Sequence, residues 1–87
     1  MLMKLVKVLI EELAQKKILR HGLQREEVEN GVHFGNPKFS KDRHGRYLAI
    51  THFNSYITVV FEYINFNAYV ITAYPSSDWQ IKKYKRK

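Results

Sequence analysis

The stretch Gly45–Tyr74, GRYLAITHFNSYITVVFEYINFNAYVITAY, decides the fold. Leu48 and Ile50 alternate with Ala49 and Thr51. Ile57, Val59, Phe61 and Tyr63 alternate with Tyr56, Thr58, Val60 and Glu62. Val70 and Thr72 alternate with Tyr69, Ile71 and Ala73. A period of two, carried by β-branched and aromatic residues, predicts three consecutive strands with one buried face. Asn54-Ser55 and Asn65-Phe66-Asn67 lie between them, and Asn tolerates the positive φ that tight turns need. Both links are too short for a parallel crossover, so an antiparallel meander is expected.

Upstream, Leu2, Leu5, Val6, Leu9, Ile10, Leu13 and Ile18 recur at intervals of three and four. This spacing predicts an amphipathic helix over Met1–Arg20. The alternative is a short opening strand at Lys4–Val8 before a shorter helix. Gly22 is placed to end the helix. A second helix is expected over Gln24–Asn30, with Glu26, Glu27 and Glu29 near its positive end and Asn30-Gly31 stopping it. Val32–Phe39 reads as a short first strand, broken by Asn36-Pro37 and so confined to a sheet edge. Lys38–Arg46 then reads as a charged loop. After the meander, Pro75 ends the sheet. Ser76, Ser77 or Asp78 caps a short basic helix holding Trp79, Ile81 and Tyr84. The expected class is α+β, with N-terminal helices packed on a three- to four-stranded antiparallel meander and a short C-terminal basic helix.

With 87 residues the chain makes one domain with a small core. It contains no cysteine, which excludes a disulfide framework, thiolate zinc sites and a cysteine nucleophile. The formal charge of +7 favours polyanionic partners. No apolar run reaches membrane-spanning length. Glu11 and Glu12 interrupt the basic, apolar start, which argues against a signal peptide.

Three groups of residues carry candidate chemistry. Lys38, Lys41, Arg43 and Arg46 give the loop a surplus of positive charge around His44. The tail Lys82-Lys83-Tyr84-Lys85-Arg86-Lys87 supplies a second basic group. Cations in these two places are suited to neutralise phosphates. Tyr47, Phe53, Tyr56, Tyr63, Tyr69, Tyr74, Trp79 and Tyr84 offer rings for unpaired bases, which suits single-stranded RNA. The third group is His21, His33, His44 and His52. Their spacing lacks any His-x-x-x-His pair, so no metal or other cofactor is expected. His44, between Arg43 and Arg46, is the candidate base. Metal-free RNA cleavage needs a base for the 2′-hydroxyl, a cation for the phosphate and an acid for the leaving oxygen.

The segment Arg20-His21-Gly22-Leu23-Gln24-Arg25-Glu26-Glu27-Val28 resembles the Lys-His-Gly-(Val/Leu/Ile)-x-x-Glu-Glu-(Val/Ala) segment of BrnT-type toxins, of the RelE-like ribonuclease superfamily. Asn36-Pro37, Gly45-Arg46-Tyr47-Leu48-Ala49-Ile50, Ile71-Thr72-Ala73-Tyr74-Pro75-Ser76-Ser77 and Lys83-Tyr84 resemble further segments of that family in the same order. A related uncharacterised family shares the helix-first start. The resemblance implies a cytoplasmic endoribonuclease of a type II toxin–antitoxin pair, neutralised by a cognate antitoxin protein. Arg46 would then be a phosphate-binding catalytic residue, with His44 and Tyr84 as its companions. Lys38, Lys41, Arg43, Tyr74, Lys82 and Lys83 would hold RNA. Two departures stand out: Tyr74 occupies the place of the family's second arginine, and no strand ending in Trp-Asp is recognisable in Val6–Glu12. The alternative is a non-catalytic RNA- or antitoxin-binding module.

Overall fold

Three hairpin-linked strands do form where the alternation places them: β3 (Tyr47–His52), β4 (Tyr56–Ile64) and β5 (Asn67–Pro75) in the numbering of the whole sheet. In the computed structural model, which describes residues 3–86, two further strands join them. These are β1 (Lys7–Leu9) and β2 (Lys38–Lys41), and the sheet order is β1-β5-β4-β3-β2. Three helices complete the chain: α1 (Glu12–Arg20), α2 (Arg25–Phe34) and α3 (Asp78–Lys85). The class is α+β. Strands β2 to β5 are the expected antiparallel meander, but β1 pairs parallel with β5, Lys7 opposite Asn67, so the sheet is mixed.

The long N-terminal helix is therefore corrected to a short strand followed by a nine-residue helix. Val8 and Ile10 are buried in the core, and the Val6 N–H donates to the Phe66 carbonyl oxygen. Helix α1 ends as Gly22 requires, with φ of +80°. The Gly22 N–H reaches the Leu19 oxygen at 2.9 Å and the Leu23 N–H reaches the Ile18 oxygen at 3.1 Å. This is the doubly bonded helix end that a left-handed glycine permits.

Helix α2 does not stop at Asn30-Gly31 but runs on to Phe34. Gly31 is needed there for contact: a Cβ would stand 2.9 Å from the Thr51 Cγ2 atom. The Thr51 hydroxyl donates to the Gly31 oxygen at 2.6 Å, tying the helix to β3. The expected strand over Val32–Phe39 is likewise corrected. It begins only after Pro37, and the supposed loop Lys38–Arg46 is half strand.

The core lies between α1, α2 and one face of the sheet. Ile18, Val28, Ala49, Val59, Phe61 and Ala73 are wholly shielded from solvent. Burying an aliphatic or aromatic side chain of this size stabilises by roughly 1.5–3 kcal/mol. The predicted alternation fails at one place in β5. Phe61 pairs with Val70 and Val60 with Thr72, so Ile71 is an extra residue in a bulge. Val70 and Ala73 are the buried residues there, rather than Val70 and Thr72.

Candidate nucleic-acid interface

The sheet has a second face, and α3 covers only half of it. Successive pairings form two rows across the strands. One row runs Lys38, Ile50, Thr58, Tyr74; the next runs Ser40, Leu48, Val60, Thr72. Helix α3 lies along the first row. Gln80 is buried there and its Oε1 accepts from the Thr58 hydroxyl at 3.0 Å and from the Ser77 N–H at 2.9 Å. Its Nε2 donates to the Tyr74 oxygen at 3.1 Å. At the other end, the Lys38 ammonium donates to the carbonyl oxygens of Lys83 and Arg86. A cation there complements the negative end of the helix, where the Lys83 oxygen also accepts the Arg86 N–H. The second row is half-buried along its length and forms an open strip beside α3.

By strand phase and helix periodicity cations stand on both sides of the strip, and its outer border also carries the exposed carboxylate of Glu62. Arg46 precedes Tyr47 and shares the outward phase of Leu48 and Ile50, so it stands on this face beyond the strip. On α3 the sheet-facing positions are Gln80 and Tyr84. Lys85 lies 5.4 Å from the centroid of the Tyr56 ring, on one flank. At about 100° per residue, Trp79 and Lys83 fall on the opposite flank, toward the strip. Arg46 and the covered row are four residues apart along β3, about 14 Å at the usual strand rise.

The expected site residues divide accordingly. Strand phase and helix periodicity put Arg46 and Lys83 on opposite borders of the strip and Lys82 on the solvent side of α3, all three exposed. Arg43 and His44 lie in the exposed β2–β3 turn next to Arg46. That turn is closed by Asp42, whose Oδ1 accepts the backbone N–H groups of His44 at 2.8 Å and Arg46 at 2.9 Å. Slight desolvation works upward on the Asp42 carboxyl. The two N–H bonds and the charges of His44 and Arg46 outweigh it and hold its pKa below the ordinary value. Lys41 points to the other face, 5.5 Å from the Tyr47 ring centroid. Lys38 is engaged with the end of α3. Tyr84 donates its hydroxyl to the Gly35 oxygen at 2.7 Å, and burial, then the nearby Tyr56, raise its pKa. Tyr74 is bonded to Gln80 and its ring lies 6.2 Å from His21. His52 stacks against Tyr56 at 4.3 Å in cross-strand packing.

The ion pairs among the described residues are Lys16–Glu12 and Arg25–Glu29, both at helix spacing. Neither involves the strip or α3, although Asp42 in the turn and Glu62, next after Val60 on this face of β4, are the carboxylates nearest Arg46. The Thr72 Oγ1 atom, on the strip, is buried with no hydrogen-bond partner among the described residues. Two surface grooves lie elsewhere. One of about 400 Å³ sits between the start of α1 and β5, and one of about 350 Å³ lies beside Met3, Val32 and Phe39.

No protein-family model, characterised protein or solved structure matches the chain.

The strip itself escaped the sequence reading. The alternation separated two faces in β3 and β4 without saying which one met the core, the bulge put Thr72 out of its expected phase, and nothing showed which half of the outer face α3 would cover. That depends on the Gln80–Thr58 and Lys38–Lys83 contacts, which join residues far apart in the chain.

Proposed function

We propose that this chain acts on single-stranded RNA as a toxin-type endoribonuclease, the cytoplasmic half of a toxin–antitoxin pair. One observation carries the reading: Arg46 and Lys83, outside every ion pair among the described residues, fall on the two borders of an open strip of sheet. The element order supports it too. The family that the sequence resembles opens on a strand before its helices, and β1 fills that place without the Trp-Asp ending.

The chemistry follows from the residues at the strip's outer border. Arg46 holds the scissile phosphate and offsets the charge that builds on it in the transition state. His44, two residues away in the turn, removes the 2′-hydroxyl proton. The 2′-oxygen then attacks phosphorus, and the 5′-oxygen leaves with a proton supplied by a Lys83 ammonium or by water. The products are a 2′,3′-cyclic phosphate and a 5′-hydroxyl end.

A second reading, binding without cleavage, is favoured by a specific observation. The Tyr84 hydroxyl donates its proton to the Gly35 oxygen, so it is not presented to RNA as an acid. End-labelled single-stranded RNA incubated with the protein in a chelator separates the two. Cleavage to cyclic-phosphate ends, lost in Arg46→Ala, supports the nuclease. Salt-sensitive binding without products supports the binding module. Absence of any affinity at low salt ends both. Co-purification of a small acidic protein from the native host bears on the antitoxin.

A further inference from the structure

Trp79 is the sole tryptophan of the chain and leaves 61% of its surface exposed on the first turn of α3. Other rings are engaged to differing degrees, and Phe53, 44% exposed, takes part in no ring pair or cation–π contact among the described residues. Phe66 lies edge-on to Tyr63 and under the Lys4 ammonium. Tyr56 packs on His52 and Tyr84 and lies under Lys85. Trp79 takes part in no ring pair and no cation–π contact among the described residues. It contributes little to holding α3 down, because Gln80, Tyr84 and Lys38 do that. A large indole kept in water without a packing role is a binding group in waiting.

Its surroundings select the ligand. By helix periodicity Trp79 and Lys83, one turn apart, fall on the flank of α3 that lies beside the strip. A ring next to phosphate-binding cations, spaced by one helical turn, fits one nucleotide: base on the indole, phosphate on the ammonium.

We propose that Trp79 is the stacking platform for one unpaired base of the RNA held on the strip. The inference rests on the RNA-binding reading above and adds the residue that recognises a base rather than a phosphate. Base–aromatic stacking contributes about 1–3 kcal/mol per base, so removing the indole weakens binding by roughly 5- to 150-fold.

A lone tryptophan is its own probe. A short single-stranded RNA is titrated into the intact protein at low salt, with indole emission and the anisotropy of a labelled RNA read together. An oligomer of the same length lacking bases is the control. RNA is expected to quench the emission strongly. The base-free oligomer binds through its phosphates and leaves the emission nearly unchanged. Trp79→Ala weakens RNA binding at least 5-fold but not binding of the base-free oligomer, while Trp79→Phe restores most of the loss. RNA that binds without quenching, with Trp79→Ala retaining full affinity, overturns the stacking role and leaves RNA binding standing. RNA that does not bind at all removes both.

Discussion

Phe66 sits at φ of +67° in the two-residue turn between β4 and β5, next to Asn65 at +51°. Two left-handed residues in succession make the hairpin turn for which Asn-Gly is the preferred pair. Holding a bulky L-residue there costs about 1–2 kcal/mol. Its contact with Lys4, 5.3 Å from the ring centroid, returns about 0.5–1 kcal/mol at an exposed site. Phe66→Gly is therefore expected to stabilise the fold by up to about 1 kcal/mol. A urea titration checks this, and a lower midpoint than wild type contradicts it. Gly31 is the opposite case, because its missing Cβ is what lets α2 meet Thr51. Gly31 looked like a helix stop because its use is tertiary, and nothing local to it shows that Thr51 approaches.

Helix α3 is held to the sheet by polar contacts more than by apolar ones, with Gln80 its only fully buried side chain. Tyr84 is one of these contacts, and its hydroxyl must stay protonated to donate to Gly35. Its pKa is raised in the folded protein, so above the ordinary tyrosine value the unfolded chain loses this proton first. Stability from this group is complete below that value and declines as pH rises through the folded pKa. Tyr84→Phe removes one hydrogen bond, costing about 0.5–1.5 kcal/mol at neutral pH. It should also flatten the alkaline loss of stability, measured as the urea midpoint against pH; an unchanged alkaline slope would exclude Tyr84 as its source. At this scale the sequence was legible where local chemistry decides. The hairpin turns, the α1 stop at Gly22 and the start of α3 at Ser77 all lie as expected. β1 was obscured because Leu5, Val6, Leu9 and Ile10 suit either period, and three residues are too few to separate them. The Ile71 bulge was obscured because a phase shift is set by the partner strand.

For the whole molecule, a surplus of seven positive charges makes polyanion affinity strongly dependent on salt. Three to four phosphates neutralised along the strip imply that affinity for single-stranded RNA falls about 20- to 50-fold between ~50 and ~200 mM salt. Lys83→Ala should make that dependence shallower, and Lys41→Ala should not, because Lys41 is turned to the other face. Equal slopes for the two variants would remove the strip as the binding surface. The charge surplus could be read from the composition. Its division between two faces could not, because the β2–β3 register decides it.

The parallel pairing of Lys7–Leu9 with Asn67–Tyr69 joins the beginning of the chain to a strand made near its end. During synthesis β1 is released well before its docking edge exists, so this pairing forms only after β5 has been made. Until then, that edge of β5 is open to the same segment from a neighbouring nascent molecule. A polysome is where two copies are most apt to exchange their first strands.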